Sequence, residues 1–398
     1  MLRKGMIQGT LAATLLAAAG AIGVVSAAER ERPVDRDAAR MCGQLRDAPR
    51  RQACLQGLPT LSPAQERAQA LRGDPAVQAS LETWGGSLDA AMAARAQDLA
   101  AKGDVRSLLG AMLIEPTRFH GDDAEPWTLG PQERAWFARA QQGGLTDPLV
   151  AWVEVFDCHA LDCDRGAALA RLLRIDPDNA AVHLWAIQGA MLARDSDAAR
   201  EQLRLAASAR RFDPHSNQLL QLLLDARSGA RLPPMDAQVS TVLTGIAASS
   251  TPADVIAILS MAQWAALATP PLQGLFRLCR LDSEGGTDSP GLQRDCIAVL
   301  SMIAADDATL FYAQLGARQL ARMDPSLAAQ WLPRLRQLAW WQDQSTRLLM
   351  EGSVAVSPAE LAGRVAREGE LVALSQLLAR AGIPGTPPAE WELPEYYR

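Results

Sequence analysis

Hydrophobic positions in this chain recur three and four residues apart. After Glu368 they fall at Leu371, Leu374, Leu377 and Leu378, the spacing of one apolar helix face. That helix is expected to stop near Gly382, with Pro384 just beyond it. Upstream, Val182 and Trp185, with Leu184, Ile187 and Met191 on the adjoining row, mark another helix. Ala199, Leu203 and Ala206 mark the one after it. Ala and Leu dominate, and Val, Ile and Thr do not alternate with polar residues over any long stretch. Both facts predict an all-α chain.

Pro, Gly and Asp interrupt the pattern every 10 to 20 residues, which predicts short helices joined by tight turns. Asp-Pro recurs at Asp74-Pro75, Asp147-Pro148, Asp176-Pro177, Asp213-Pro214 and Asp324-Pro325, each where one helix can end and the next begin. Ser62-Pro63 and Thr251-Pro252 place a capping hydroxyl before a proline at the first helical position. Ser357-Pro358-Ala359-Glu360 adds the glutamate of a capping box. Gly85-Gly86, Gly143-Gly144 and Gly285-Gly286 lack the third glycine and the strand of a dinucleotide site, and read as turns.

Residues 172–214 form the clearest unit: a turn at Asp176-Pro177-Asp178-Asn179, a helix, a turn at Arg194-Asp195-Ser196-Asp197, a second helix, then Asp213-Pro214. This unit resembles a tetratricopeptide repeat. Ala199 and Ala206 fall on the two small-residue positions where that family's paired helices approach. It departs from the family at His183, Ala186-Ile187 and Ala190, which stand at the usual aromatic, Leu-Gly and aromatic positions, and its second helix is about two residues longer. The resemblance implies an array of antiparallel helical hairpins, an α-α superhelix of solenoid type.

The N-terminus has a different character. Met1-Leu2-Arg3-Lys4 is a cationic start, residues 10–25 are apolar and uncharged, and Val25-Ser26-Ala27-Ala28 offers small residues before Glu29-Arg30-Glu31-Arg32. That order is a secretory signal peptide, with cleavage expected after Ala27 or Ala28. The apolar stretch is 16 residues, short of the roughly 20 that span a bilayer. No cysteine marks a lipid-attachment site. The expected organisation is a signal peptide over 1–28, a stapled helical hairpin over 29–72, a repeat region over 73–230, and a second helical region over 231–398. Residues 228–234 are the linker candidate, and the proline-rich segment from 382 onward ends the last region irregularly. The predicted location is periplasmic or secreted.

Export changes how the six cysteines are read. Cys42 and Cys54 bracket Asp47-Ala48-Pro49, Cys279 and Cys296 bracket the Gly- and Ser-rich segment 282–291, and Cys158 and Cys163 bracket His159-Ala160-Leu161-Asp162. Each couple is expected to form a local disulfide across a turn. On one straight helix the last couple would be about 7.5 Å apart along the axis, so the chain must turn there. The alternative, a metal site at Cys158, His159 and Cys163, lacks the second Cys/His doublet of a zinc centre.

Charge disfavours nucleic acid. Without Arg3 and Lys4 the chain carries 37 basic against 45 acidic residues, a net charge of −8. No Gly-x-Ser-x-Gly, His-Glu-x-x-His or phosphate-cradling loop occurs. His120, His159, His183 and His215 are scattered singly. His120, in Phe119-His120-Gly121-Asp122-Asp123, is the one placed beside carboxylates. Ten tryptophans are spread along the chain and are expected to fill gaps between hairpins; a Trp-lined groove is the alternative. Trp340-Trp341 would face different directions on a helix, leaving one available to a partner. The aromatic end, Trp391 to Arg398, is placed to dock on the domain or on another protein. The expected function is a protein- or peptide-binding module of the cell envelope, with no cofactor. The alternatives are an envelope enzyme acting on peptidoglycan or polysaccharide through paired carboxylates, and a structural envelope protein.

Overall fold

The computed structural model describes residues 71, 74–115, 129–247, 251–279, 290–323, 325–351 and 356–394. The signal peptide, the Cys42–Cys54 couple, Ser62-Pro63, His120, Trp127, Gly285-Gly286 and residues 395–398 lie outside them. Seventeen helices occur among the described residues, with no strand. They are α1 (Pro75–Lys102), α2 (Val105–Ile114), α3 (Pro131–Gly143), α4 (Pro148–Phe156), α5 (Cys158–Leu161), α6 (Arg165–Ile175), α7 (Ala180–Leu192), α8 (Ser196–Ser208) and α9 (Ser216–Arg227). There follow α10 (Ala237–Ala247), α11 (Pro252–Leu267), α12 (Gln273–Leu278), α13 (Pro290–Ala304), α14 (Leu310–Met323), α15 (Pro325–Glu351), α16 (Pro358–Glu368) and α17 (Glu370–Arg380).

Local chemistry starts these helices where expected. Asp74 accepts from Ala76 N at 2.8 Å, and Asp147 accepts from Leu149 N at 2.9 Å, each with proline next in the chain. In these two cases Asp-Pro is an N-cap followed by the residue that needs no N–H partner. Thr251 and Ser357 cap α11 and α16 in the same way, at 3.2 and 3.1 Å. The capping-box glutamate departs from expectation: Glu360 turns outward to Arg364 and Arg380 at 3.0 and 2.8 Å. Another correction concerns Gly85-Gly86, which lies within the 28-residue α1 and not in a turn. The buried face Val77, Trp84, Leu88, Met92, Ala96 and Leu99 carries the helix through both glycines. Two interior glycines cost about 2 kcal/mol of helix propensity, which tertiary burial exceeds.

Consecutive helices pack as pairs: α1 with α2, α2 with α3, α7 with α8, α13 with α14, α14 with α15, and α16 with α17. The α7–α8 pair is antiparallel, since Ala180 N at the start of α7 donates at 2.8 Å to Arg211 O beyond the end of α8. Ala199, Leu203 and Ala206 are fully buried between them and their neighbours. Other contacts join helices far apart in the chain. The α9 helix packs on α1, α2, α11 and α16, and α16 packs on α11. In a strictly one-dimensional stack each unit touches only its neighbours. One apolar cluster accordingly contains Leu109, Trp152, Leu223, Trp264, Ile303 and Ala373.

Both cysteine couples within the described residues are bonded. Cys158–Cys163 spans 5.0 Å between Cα atoms, and Cys279–Cys296 spans 5.9 Å, joining the end of α12 to α13. The turn required at Cys158–Cys163 is supplied by Asp162, in the left-handed region at φ 55°. Most of the tryptophans fill the interior: Trp84, Trp136, Trp152, Trp185, Trp264 and Trp340 are buried. Buried aromatic donors also take up backbone carbonyls. Trp152 donates to Leu267 O at 3.2 Å and Tyr312 to Ala268 O at 2.9 Å, satisfying carbonyls at the C-terminus of α11. No helix of the described residues is long and apolar enough to cross a membrane.

Candidate peptide-docking face

The end of α17 aims the following chain at α15. Gly382 takes φ 69°, Ile383 N donates to Leu378 O at 2.9 Å, and Gly382 N donates to Ala379 O at 3.1 Å. These two bonds form a Schellman cap, and Ile383 packs against the same apolar cluster as Leu378. Pro384 prevents further helix, so the chain leaves as an irregular strap.

On α15, Arg336, Gln337, Trp340 and Trp341 are spaced one and four apart, which puts them on one stripe. That stripe holds the strap almost entirely by its main chain. Trp340 Nε1 donates to Pro384 O at 2.8 Å, and Trp341 Nε1 to Gly385 O at 2.7 Å. Gln337 Nε2 donates to the same Gly385 oxygen at 3.3 Å. Arg336 gathers the far end: Nε reaches Trp391 O at 3.0 Å and Nη2 reaches Ala389 O at 3.0 Å. Nη2 also contacts the carbonyls of Pro388 and Trp391. Two side chains of the strap add to this. Pro387 is buried, and the Trp391 ring meets Trp340 edge-on at 5.5 Å with the Arg336 guanidinium 5.9 Å from its centroid.

The chemistry of the two partners is complementary. Proline offers a carbonyl and no N–H, while indole and guanidinium donate and do not accept. A proline-rich strap facing Trp and Arg therefore leaves few groups unmatched. Trp340 and Trp341 face different directions on α15, Trp340 buried and Trp341 partly exposed. Neighbouring helix positions diverge by about 100°, yet a strap passing obliquely over α15 meets both.

Comparison with known protein families, with curated proteins and with solved structures finds no match. Geometry alone therefore ranks the remaining candidates.

Cys158 and Cys163 are bonded to each other, which takes the sulfurs from the metal reading, and His159 between them is exposed. His183 is buried and ties the α7–α8 hairpin together, with ring nitrogens 3.0 Å from Gln202 Oε1 and 2.9 Å from Pro177 O. His215, at φ 57°, is 1% exposed between two Asp-Pro turns, 3.4 Å from Asp176 Oδ2 and edge-on to Trp152 at 5.4 Å. Burial pushes the Asp176 carboxyl up, but the His215 ring beside it, the Asn179 amide that donates to it and the Arg211 guanidinium outweigh this and bring it to about 2. No substrate reaches a His–Asp pair so enclosed, and its role is to fasten the turns.

Asp306 and Glu370 are two carboxyls near enough for the charge of one to act on the other. Their oxygens are occupied by the amides leading into α14: Ala308 N and Thr309 N donate to Asp306 at 3.1 and 3.2 Å, and Leu310 N donates to Glu370 at 2.7 Å. They cap a helix. A groove of about 380 Å³ runs between α1 and residues 233–236, lined by Ser80, Thr83, Trp84 and Pro233. Thr83 and Ser87 direct their hydroxyls to carbonyls of their own helix at 2.8 and 3.0 Å, and Asp236 at the groove's edge accepts from Val239 N at 2.8 Å, so these polar groups serve the helices themselves. Arg336 and Gln337 were not legible as site residues. The signal that marks them is a donor-rich stripe 44 to 55 residues from a donor-poor, proline-rich tail.

Proposed function

We propose that this chain is an exported, tetratricopeptide-like helical-hairpin protein that binds another protein or peptide in the cell envelope through the α15 face. The observation that carries the reading is the strap itself. Trp340, Trp341, Gln337 and Arg336 donate to its main-chain carbonyls, a recognition mode that aromatic grooves use for proline-rich ligands. Export is supported by the leader pattern of residues 1–28, by the bonded cysteine couples, and by net acidity that disfavours nucleic acid. The α7–α8 hairpin, with its buried small residues, supports the repeat reading. Sequencing of the exported protein's N-terminus is expected to return Ala28 or Glu29 as the first residue.

The binding test uses the full chain with its own strap weakened by Pro387→Gly and Trp391→Ala. A fluorescein-labelled peptide of residues 382–394 is titrated against this variant, with fluorescence anisotropy as the readout. Saturable binding that disappears on adding Trp341→Phe and Arg336→Gln supports the reading. Absence of binding at millimolar protein, with the fold intact by circular dichroism, overturns it.

A further inference from the structure

We infer that residues 382–394 are a built-in competitor for the α15 face, and that the partner they exclude is a proline-rich segment of another protein bearing a Pro-Pro-x-x-Trp spacing. This rests on the reading of that face as a binding surface.

Three features lead there. First, the hydrogen bonds run to the carbonyls of Pro384, Gly385, Pro388, Ala389 and Trp391, atoms that every chain possesses. Selectivity is left to Pro387, which is buried, and to Trp391, which sits edge-on to Trp340 and under the Arg336 guanidinium. A foreign segment needs those two side chains, few competing N–H groups, and a backbone that loses little entropy on binding. Proline supplies the last two.

Second, the middle of the strap is shallowly held. Pro384, Gly385, Thr386, Pro388, Ala389 and Glu390 are all exposed, and the side-chain hold comes from Pro387 and from Trp391 and Leu393, which pack against the main apolar cluster. Third, release has a natural boundary. The Schellman bonds of Gly382 and Ile383 belong to the end of α17 and do not involve α15, so the strap can leave from Pro384 onward without unwinding the helix. Gly385 is free of crowding, its nearest neighbour to an added Cβ being Trp341 Nε1 at 3.8 Å.

Tethering sets the strength of the competition. A strap fixed a few residues from its site acts at an effective concentration on the order of 1 mM. A partner segment of equal intrinsic affinity must exceed that concentration to displace it. A partner with a second contact elsewhere on the protein need not, so occupancy of this face is gated by the partner's other attachments.

The test compares the labelled 382–394 peptide on wild-type chain and on the Pro387→Gly/Trp391→Ala chain, both full length. A peptide with Trp391 replaced by Ala serves as the selectivity probe. The expected result is at least about tenfold tighter binding to the strap-weakened chain, and loss of binding by the alanine peptide. Equal affinity for the two chains overturns the competitor while leaving the binding face standing. Tight binding of the alanine peptide overturns the partner chemistry. No binding to either folded chain removes the face itself, and the competitor with it. Should the double variant fail to fold, Trp391→Ala alone, which removes the ring from Trp340 and Arg336 and keeps Pro387, is read in the same way: unchanged affinity of both chains again overturns the competitor.

Discussion

Asn179 and Asp213 exchange two hydrogen bonds: Asn179 Nδ2 donates to Asp213 O at 2.7 Å, and Asp213 N donates to Asn179 Oδ1 at 2.9 Å. The side-chain amide of one Asp-Pro turn thus pairs with the main chain of the next, as one strand residue pairs with another. Asn179 also donates to Asp176 Oδ2 at 2.8 Å and caps α7 through Ala181 N at 3.1 Å. Asn179→Ala removes a partner from the Asp213 N–H and from the Asp176 carboxylate and deletes the α7 cap, so it is expected to cost about 3 kcal/mol. Asn179→Asp keeps the shape but loses both donors and sets a second charge beside Asp176, so it is expected to rescue nothing at pH 7. Urea denaturation of the three chains checks this; a loss below about 1 kcal/mol for the alanine variant contradicts the interlock.

This interlock also shows where legibility ended. The two Asp-Pro turns and the helices between them were readable because caps, turn residues and apolar spacing act within a few residues. The same locality made Leu371, Leu374, Leu377, Leu378 and the Gly382 stop readable. Pairing between turns was not, because nothing near Asn179 names Asp213 as its partner. Gly85-Gly86 was misread for the complementary reason: its helix is held by distant contacts such as Trp84 with Val239 and Val255. The docking of α16 on α9 and α11, and of the strap on α15, likewise depends on surfaces that meet only after folding. Both halves of the docking face, the tryptophan pair and the proline-rich tail, were visible singly.

Two helix glycines are expected to respond to alanine with opposite signs. A Cβ on Gly316 would lie 2.4 Å from Ala304 N and 2.8 Å from Leu300 O, backbone atoms that cannot step aside without parting α13 from α14. Gly316→Ala is therefore expected to cost about 3 kcal/mol, the upper end of overpacking. Gly189, exposed in α7, has nothing within 4 Å of the new atom, and Gly189→Ala is expected to stabilise by about 0.5–1 kcal/mol. Thermal midpoints of the two single variants check the contrast.

The junction of α14 with α17 is expected to favour mild acid. Burial raises the Asp306 carboxyl to about 6 against the amides that hold it down, and burial together with the Asp306 charge raises Glu370 to about 7. Groups raised on folding bind their protons more tightly in the native state. Their contribution is complete below the unfolded values of 3.8 and 4.5, and is lost as pH rises through about 6 and 7. Glu370→Gln keeps an oxygen for Leu310 N and removes the titration. The denaturation midpoint of the variant, relative to wild type, is expected to rise between pH 5 and pH 8. A constant difference would show that Glu370 does not titrate there. Asp176 acts oppositely: held at about 2, it contributes fully above 3.8 and loses its contribution only as pH falls through 2.

Removing the bridge between Cys279 and Cys296 is expected to weaken the fold by acting on the unfolded chain. The two residues are 17 apart, and closing a loop of that size removes about 3 kcal/mol of denatured-state entropy. Both sulfurs are fully buried, so paired Cys279→Ser and Cys296→Ser substitutions would add polar groups to an apolar cluster and overstate the effect. Paired alanines isolate the loop term more cleanly. The expected outcome is a fall of about 3 kcal/mol in unfolding free energy for the alanine pair, read by urea denaturation. Burial also makes reduction follow unfolding. Wild-type chain in dithiothreitol is expected to keep this bridge under native conditions and to lose it at a rate that tracks urea. The Cys158–Cys163 bridge, where Cys163 is partly exposed, is expected to open first. Thiol alkylation followed by peptide mapping gives the order directly, and simultaneous loss of both bridges would contradict it.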